Sequence, residues 1–187
     1  MSAVSTTNEQ AIGRVRAWIE RFAVDLNLCP FARPVASSNA LRIVACESAS
    51  PEAIATLLIT ELNLLSQSSE SDIATSVLVF PEGLEAFDDY LGFLDDAQTV
   101  LEEMGLAGEI QIASFHPDYR FEGEPVDAVS HFTNRAPYPL IHLLREMMVS
   151  TALENYPNPE RIPERNIQTL ERLGLAAIKR LLNSLDG

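Results

Sequence analysis

Imidazole and carboxylate groups that could transfer protons are concentrated between residues 116 and 142, a stretch that contains all three histidines of the chain. His116 and Asp118 lie two residues apart, so the carboxylate can orient an imidazole that exchanges a proton near neutral pH. We predict that His116 is a general acid or base oriented by Asp118, and that His142 assists it. The alternative is structural: His116 caps a turn and Asp118 bonds to its own backbone. The third histidine, His131, is interpreted as a surface residue.

Guanidinium and amide groups in the same stretch are suited to hold an anion. Arg135 follows Asn134 in a proline-rich loop, and Arg145 lies three residues after His142. The planar guanidinium fork matches a carboxylate or a phosphate. We predict that Asn134, Arg135 and Arg145 bind the substrate, a small anionic molecule. Alternatively, the arginines pair with structural carboxylates such as Glu146.

Metal binding and thiol chemistry are the alternatives to histidine acid/base chemistry. His142 and Glu146 have the i, i+4 spacing of a ligand pair, but the chain lacks a recognised zinc motif, so we expect no metal. It also lacks a glycine-rich phosphate loop, and we expect no cofactor. Cys29 lies in half of a thiol-redox motif, with Ala32 in place of the second cysteine. We interpret Cys29 as a packed thiol, and a nucleophile paired with His116 is the alternative.

The hydrophobic pattern predicts the elements that must position these groups. Apolar residues recur at helical spacing from Ile12 to Leu26, which predicts an N-terminal helix. Three apolar runs predict strands, with helices between them, at Leu41–Cys46, Thr75–Phe80 and Ile110–Phe115. Strands joined by helices are usually parallel. A further helix is predicted over residues 139–155, followed by a helical region that bends near Gly174.

The predicted fold class is α/β, with a single domain over residues 1–187. Its core is a small, mainly parallel three-stranded β-α-β-α-β sheet, with an N-terminal helix and two or three C-terminal helices. A ferredoxin-like α+β arrangement is the alternative. Open parallel sheets bind ligands at the carboxyl ends of their strands, which is where His116 and Asp118 are predicted to lie. We therefore expect His116 and at least one of Arg135 and Arg145 to line a common cleft.

The net negative charge of the chain arises in one window, because basic residues balance the acidic ones elsewhere. The net charge is −14, and residues 43–119 contain 15 acidic residues and neither lysine nor arginine. Nucleic acids and anionic membranes need a basic surface, so we expect neither as a partner. The window is interpreted as a solvated acidic face, and a docking face for a basic partner is the alternative. A polar N-terminus, the absence of a long apolar run and only two cysteines predict a cytoplasmic protein.

Four sequence strings carry a resemblance to a known family. They are Leu26–Ala32, Ala113–Tyr119, Thr133–Pro139 and Ile162–Asn166, and together they resemble the bacterial family known as domain of unknown function 1415. The resemblance implies a bacterial, cytoplasmic protein and supplies no mechanism. It associates Cys29, Arg165 and Asn166 with the strings that contain His116 and Arg135. On that basis Arg165 and Asn166 join the predicted substrate-binding residues.

These observations lead to two hypotheses about function. The first is an enzyme that acts on a small anionic metabolite by histidine-assisted acid/base chemistry. The second is a non-catalytic binding or interaction module, in which the arginines connect the C-terminal helices to the sheet. The two differ in whether the polar side chains converge on a cavity or are used in internal pairs. The sequence specifies neither the substrate nor the oligomeric state.

Overall fold

The computed structural model describes residues 3–185, with side chains from residue 7 onward. An N-terminal helix, α1 (Ala3–Trp18), continues directly into a π-helical segment, Ile19–Val24. The apolar stripe predicted for this region is buried, with Val15 and Phe22 almost completely inaccessible. A short helix, α2 (Ala32–Ala36), then leads into the sheet.

The sheet has four strands, and three of them lie where the sequence predicts them. The elements are β1 (Leu41–Ala45), α3 (Pro51–Gln67), β2 (Thr75–Val79), α4 (Phe87–Glu103), β3 (Ile110–Phe115) and β4 (Leu140–Arg145). The start of α3 is capped, because the Ser50 side chain accepts a hydrogen bond from the Ala53 N–H and Pro51 occupies the first helical position.

The predicted three-stranded, mainly parallel sheet is wrong. The strand order is β1-β2-β4-β3; β1 and β2 are parallel, and β4 is antiparallel to both of its neighbours. Thus β1, β2 and β3 run in the same direction, but β4 separates β2 from β3. The ferredoxin-like alternative also fails, because β1 and β2 are adjacent parallel strands joined by a helix.

The error originates in the segment 139–155, which was predicted to be one helix. Its first part is the central strand β4, and only residues Glu146–Glu154 form a helix, α5. Ile141 and Leu143 have no accessible surface because their side chains point into the hydrophobic cluster between the sheet and the helices α3 and α4. Short apolar runs fit a buried strand as well as a buried helix, and the choice depends on which partners the rest of the chain provides.

Both faces of the sheet are covered. One hydrophobic cluster joins the sheet to α1, the π-helical segment and two C-terminal helices, α6 (Ile162–Leu173) and α7 (Leu175–Asn183). The second cluster joins the opposite face to α3 and α4. Gly174, with φ of 78°, separates α6 from α7 at the predicted bend. The acidic window of residues 43–119 contains both helices of this second layer, α3 and α4.

Candidate functional site: a polar cleft beside the π-helical segment

His116 has no accessible surface, and both of its ring nitrogens bind the backbone. Nδ1 accepts a hydrogen bond from the Asp118 N–H at 3.0 Å, so Nε2 carries the proton and donates to the Leu84 carbonyl at 3.0 Å. The ring packs against Phe87 and Tyr90. Burial lowers the pKa of His116 below its usual value. The imidazole therefore fixes the turn after β3 and has no free nitrogen for a ligand.

His131 is arranged in the same way, and its interpretation as a surface residue is wrong. It is completely buried. Its Nδ1 accepts a hydrogen bond from the Phe121 N–H at 3.1 Å, and its Nε2 lies 2.7 Å from the Pro125 carbonyl oxygen. The ring closes the long loop between β3 and β4.

His142 lies on β4, with its Nε2 2.6 Å from the Thr75 hydroxyl oxygen. The Thr75 hydroxyl donates its proton to the Leu143 carbonyl at 2.6 Å, so the imidazole must donate Nε2–H to Thr75. Burial lowers the pKa of His142 to about 4, because the charged form would lose its hydration. His142 is therefore a neutral donor to the strand β2.

Asn134 and Arg135 lie next to His116 but form internal contacts. The His116 N–H donates to the Asn134 carbonyl, and the Asn134 side-chain amide donates to Ser114 at 3.1 Å. Arg135 donates to the Tyr119 carbonyl at 3.2 Å and lies over the Phe132 ring, 4.4 Å from its centroid. The structure thus brings these residues together as one packed turn. Asp118 is exposed at the same turn.

Arg145 and His116 lie at opposite ends of the paired strands β3 and β4, because β4 runs antiparallel to β3 and Arg145 pairs with Ile110 at the start of β3. Its guanidinium donates to the carbonyls of Leu65, Ser68 and Ile73, at distances of 2.7 to 3.2 Å. It therefore satisfies carbonyls at the end of α3 and in the loop that leads to β2. Side chains alternate along a strand, so positions 142 and 145 face opposite sides of the sheet, whereas in the predicted helix their three-residue spacing would have placed them on one face.

A cavity of about 450 Å³ lies elsewhere, between the turn that follows the π-helical segment and the helix α6. One wall is formed by Asp25, Leu26, Asn27 and Pro30; the other by Tyr156, Ile162, Arg165, Asn166, Gln168, Thr169 and Arg172. We call this cavity the α6 cleft. The Asn166 side-chain amide donates to the Leu28 carbonyl at 2.7 Å and ties the two walls together.

The backbone around the α6 cleft has unusual conformations. Within residues 3–185, the non-glycine residues with positive φ are Asn27 and Asn158, both at 54°. Asn27 lines the cleft, and the Asn158 carbonyl accepts a hydrogen bond from Arg165. The π-helical segment ends immediately before Asp25. Left-handed residues and π-helical turns occur often at functional sites, so their coincidence here distinguishes the cleft from an ordinary surface groove.

The two arginines of the cleft are held in place by neutral groups. Arg165 donates to the Arg161 carbonyl at 3.3 Å, to the Tyr156 hydroxyl at 3.2 Å and to Asn158 at 3.1 Å, and its guanidinium lies over the Tyr156 ring. Arg172 donates to Gln168 and to Thr169, each at 3.2 Å. Neither forms an ion pair with a carboxylate among the described residues. Their remaining N–H donors are available to a ligand.

Cys29 lies in the turn between Asn27 and α2, beside the α6 cleft. The residue has exposed surface, yet burial raises the pKa of its thiol, against the opposing effect of hydrogen bonds from the Phe31 and Ala32 N–H groups. The short helix α2 begins at Ala32, shortly after Cys29. The sequence analysis did not predict this helix. The prediction of a packed thiol stays a prediction.

Of the predicted site residues, only Arg165 and Asn166 line the α6 cleft, and the resemblance supplied both. Residue patterns alone missed Asn27, Thr169 and Arg172. A usable signal existed, because polar residues recur on α6 at steps of three and four, and these steps place them on one face of a helix.

The fold and the cleft define an α/β protein with a mixed four-stranded sheet and an arginine-lined cleft between an N-terminal π-helical turn and a C-terminal helix. The chain belongs to the family described as Protein of unknown function (DUF1415), whose model matches residues 10–180. No curated protein and no solved structure matches it significantly. Two of the family-like strings, Leu26–Ala32 and Ile162–Asn166, contribute to opposite walls of the cleft.

Within residues 3–185, no helix is long and apolar enough to cross a membrane. No group of three or more histidine, cysteine, aspartate or glutamate side chains in that range could hold a metal ion.

Proposed function

We propose that the protein binds a small carboxylate- or phosphate-bearing molecule in the α6 cleft. The observation that carries this proposal is the state of Arg165 and Arg172. Both guanidinium groups line a cavity, and both are oriented by hydrogen bonds to neutral groups. Among residues 7–185, no carboxylate forms an ion pair with either of them. In a chain with a net charge of −14, positive groups without an ion-pair partner favour an anionic ligand.

Preorganisation supports binding at this position. Ordering a free arginine side chain costs up to about 2 kcal/mol of rotamer entropy, whereas these two are already ordered. Each hydrogen bond from a guanidinium to an anion contributes about 1.5–3 kcal/mol when desolvated, and less in an open cleft. A ligand held by both arginines therefore reaches micromolar to millimolar affinity on these contacts, roughly −4 to −8 kcal/mol.

The same proposal departs from histidine-assisted acid/base catalysis. His116 and His131 have both ring nitrogens occupied by backbone groups. His142 is held neutral against Thr75. We therefore favour a binding protein whose histidines maintain the fold.

The acidic surface and the cysteines bear on the partners and the cellular location of the protein. The acidic α3/α4 layer is an unsuitable surface for nucleic acid, which requires a basic footprint. The two cysteines are free thiols, as is typical of a reducing cytoplasm. We place the protein there as part of the proposal.

The test is thermal unfolding of the wild type and of Arg165→Gln in the presence of phosphate, acetate or chloride at matched ionic strength. At a tenfold excess over Kd, a bound anion stabilises the folded state by about 1.4 kcal/mol, which raises Tm by roughly 3–6 °C. We expect this shift with phosphate or acetate in the wild type and a smaller shift in Arg165→Gln, in which only Arg172 still binds the anion.

The matched control is Arg180→Gln, which removes the same charge from an exposed position on α7 outside the cleft. Because phosphate also stabilises proteins by exclusion from their surfaces, only the difference between the two variants is informative. Equal shifts in both variants would exclude the α6 cleft as the anion site.

A further inference from the structure

We propose that the ligand of the α6 cleft is an elongated dianion, with one anionic group at Arg165 and the other at Arg172. This inference rests on the proposed function and specifies its ligand class. The arginines are seven residues apart on one helix, which corresponds to two turns, so both point to the same side. Their Cα atoms are separated by about 10.5 Å along the helix axis.

The two guanidinium groups keep this separation because they adopt matching conformations. In each, Nε donates to the carbonyl four residues earlier, Arg165 to Arg161 and Arg172 to Gln168. Each side chain therefore extends by about one turn toward the helix N-terminus. Since both are displaced in the same way, their charges are also about 10 Å apart. A single carboxylate or phosphate group is too small to bind both.

The surface between the arginines is polar and uncharged. Asn166 and Thr169 lie between them on the same face of α6, and the Asn166 amide nitrogen is already committed to Leu28. The Asn166 side-chain oxygen can accept a hydrogen bond from the middle of a ligand. The Thr169 hydroxyl, whose oxygen accepts from Arg172, can still donate its proton to a ligand. A molecule with two charged ends and a polar connecting segment matches this sequence of groups.

The acidic residues near the cleft limit the charge of the ligand. Asp25 lines the opposite wall and would repel a third anionic group. Glu171 lies next to Arg172 on the outer surface, without an ion pair to it. The net positive charge inside the cleft is thus small, which disfavours polyphosphates and nucleic acids relative to a dianion.

The test is calorimetric titration of the protein with α,ω-dicarboxylates of increasing chain length and with the corresponding monocarboxylates. We expect affinity to reach a maximum at one chain length and to exceed that of the monocarboxylate by roughly tenfold, since one additional charge-assisted contact is made. Arg165→Gln and Arg172→Gln should each remove the dependence on length and reduce the affinity to the monocarboxylate level. Arg180→Gln should change neither property.

Each outcome has a distinct meaning. If monocarboxylates bind the wild type as tightly as every dicarboxylate, the dianion inference is wrong and the proposed function stands. If Arg172→Gln retains the length optimum, the second anionic group binds elsewhere and the inference is also wrong. If no carboxylate or phosphate binds, both proposals fail. Because Arg165 contacts Tyr156, the variant Arg165→Lys is a second test: it keeps the charge, and we expect partial retention of the length optimum.

Discussion

Acidification should destabilise the protein through His142, and the magnitude follows from its environment. The folded-state pKa of His142 is about 4, and an unfolded histidine has a pKa of about 6.5. The unfolded chain therefore binds more protons than the folded protein between these pH values, and stability increases with pH there. The stabilising contribution is fully present above pH 6.5 and is lost as the pH falls toward 4.

The difference between the two pKa values lowers the unfolding free energy by about 3 kcal/mol as the pH falls from above 6.5 to below 4. About 2 kcal/mol of this loss occurs between pH 7 and pH 5. His116 contributes in the same direction, because its pKa is also lowered by burial. The Nδ1 atom of His116 now accepts a hydrogen bond from the Asp118 N–H. Protonation of Nδ1 would remove this acceptor and bring two N–H groups face to face. The total is a large fraction of the 5–15 kcal/mol by which domains are typically stable.

The assay is urea unfolding at pH 8, 7, 6 and 5 and constant ionic strength, for the wild type and for His142→Gln. Glutamine can donate to Thr75 but does not titrate, so the difference in unfolding free energy between the two proteins isolates the imidazole. We expect the variant to be less stable at pH 8 and to lose about 2 kcal/mol less than the wild type by pH 5. Parallel pH profiles would refute the reasoning, because they would show that the pKa of His142 does not change on folding.

Three further predictions concern residues outside the α6 cleft. Arg145→Gln should lower the unfolding free energy in urea by about 2–3 kcal/mol, because carbonyls such as that of Ser68 lose a charged donor. If the variant keeps the same increase in Tm with phosphate as the wild type, the role of Arg145 is structural. Cys29 should react with iodoacetamide at pH 7 more slowly than a free cysteine, because its pKa is raised; rapid alkylation of the native protein would contradict this. Gly83→Ala should lower the unfolding free energy by more than about 1 kcal/mol in thermal unfolding, because φ is 101° and a Cβ would lie 2.9 Å from Ala49 Cα. An unchanged Tm would show that the turn can shift to accommodate the methyl group.

The sequence was informative about which segments form strands and less informative about which strands pair with each other. The three strands β1, β2 and β3 could be recognised because each is a short apolar run bounded by turn residues. The insertion of β4 between β2 and β3 could not, because the pairing of Val77 with His142 and of His142 with Ala113 joins segments far apart in the chain. Strand order depends on such long-range contacts, and a single sequence does not reveal them.

The histidines illustrate a second limit of sequence interpretation. Their density between residues 116 and 142 suggested catalysis, yet each imidazole is hydrogen-bonded within the fold, His116 and His131 to backbone groups and His142 to the Thr75 hydroxyl. A titratable side chain near a loop has the same residue type whether it meets a ligand or a carbonyl. Distinguishing the two requires knowing where the backbone leaves unpaired groups, and this depends on the complete fold.

The backbone strain around the α6 cleft allows structural and functional roles to be separated. Asn27 and Asn158 have the same φ of 54°, a conformation that glycine adopts at little cost, but only Asn27 lines the cleft. Asn27→Gly and Asn158→Gly should therefore change the unfolding free energy by similar, small amounts, about 1 kcal/mol or less. If the Asn27 amide contacts the ligand, only Asn27→Gly should also weaken binding of phosphate or of a dicarboxylate in calorimetry. Equal affinities in both variants would show that the left-handed turn at Asn27 serves only to end the π-helical segment, and that recognition depends on α6 alone.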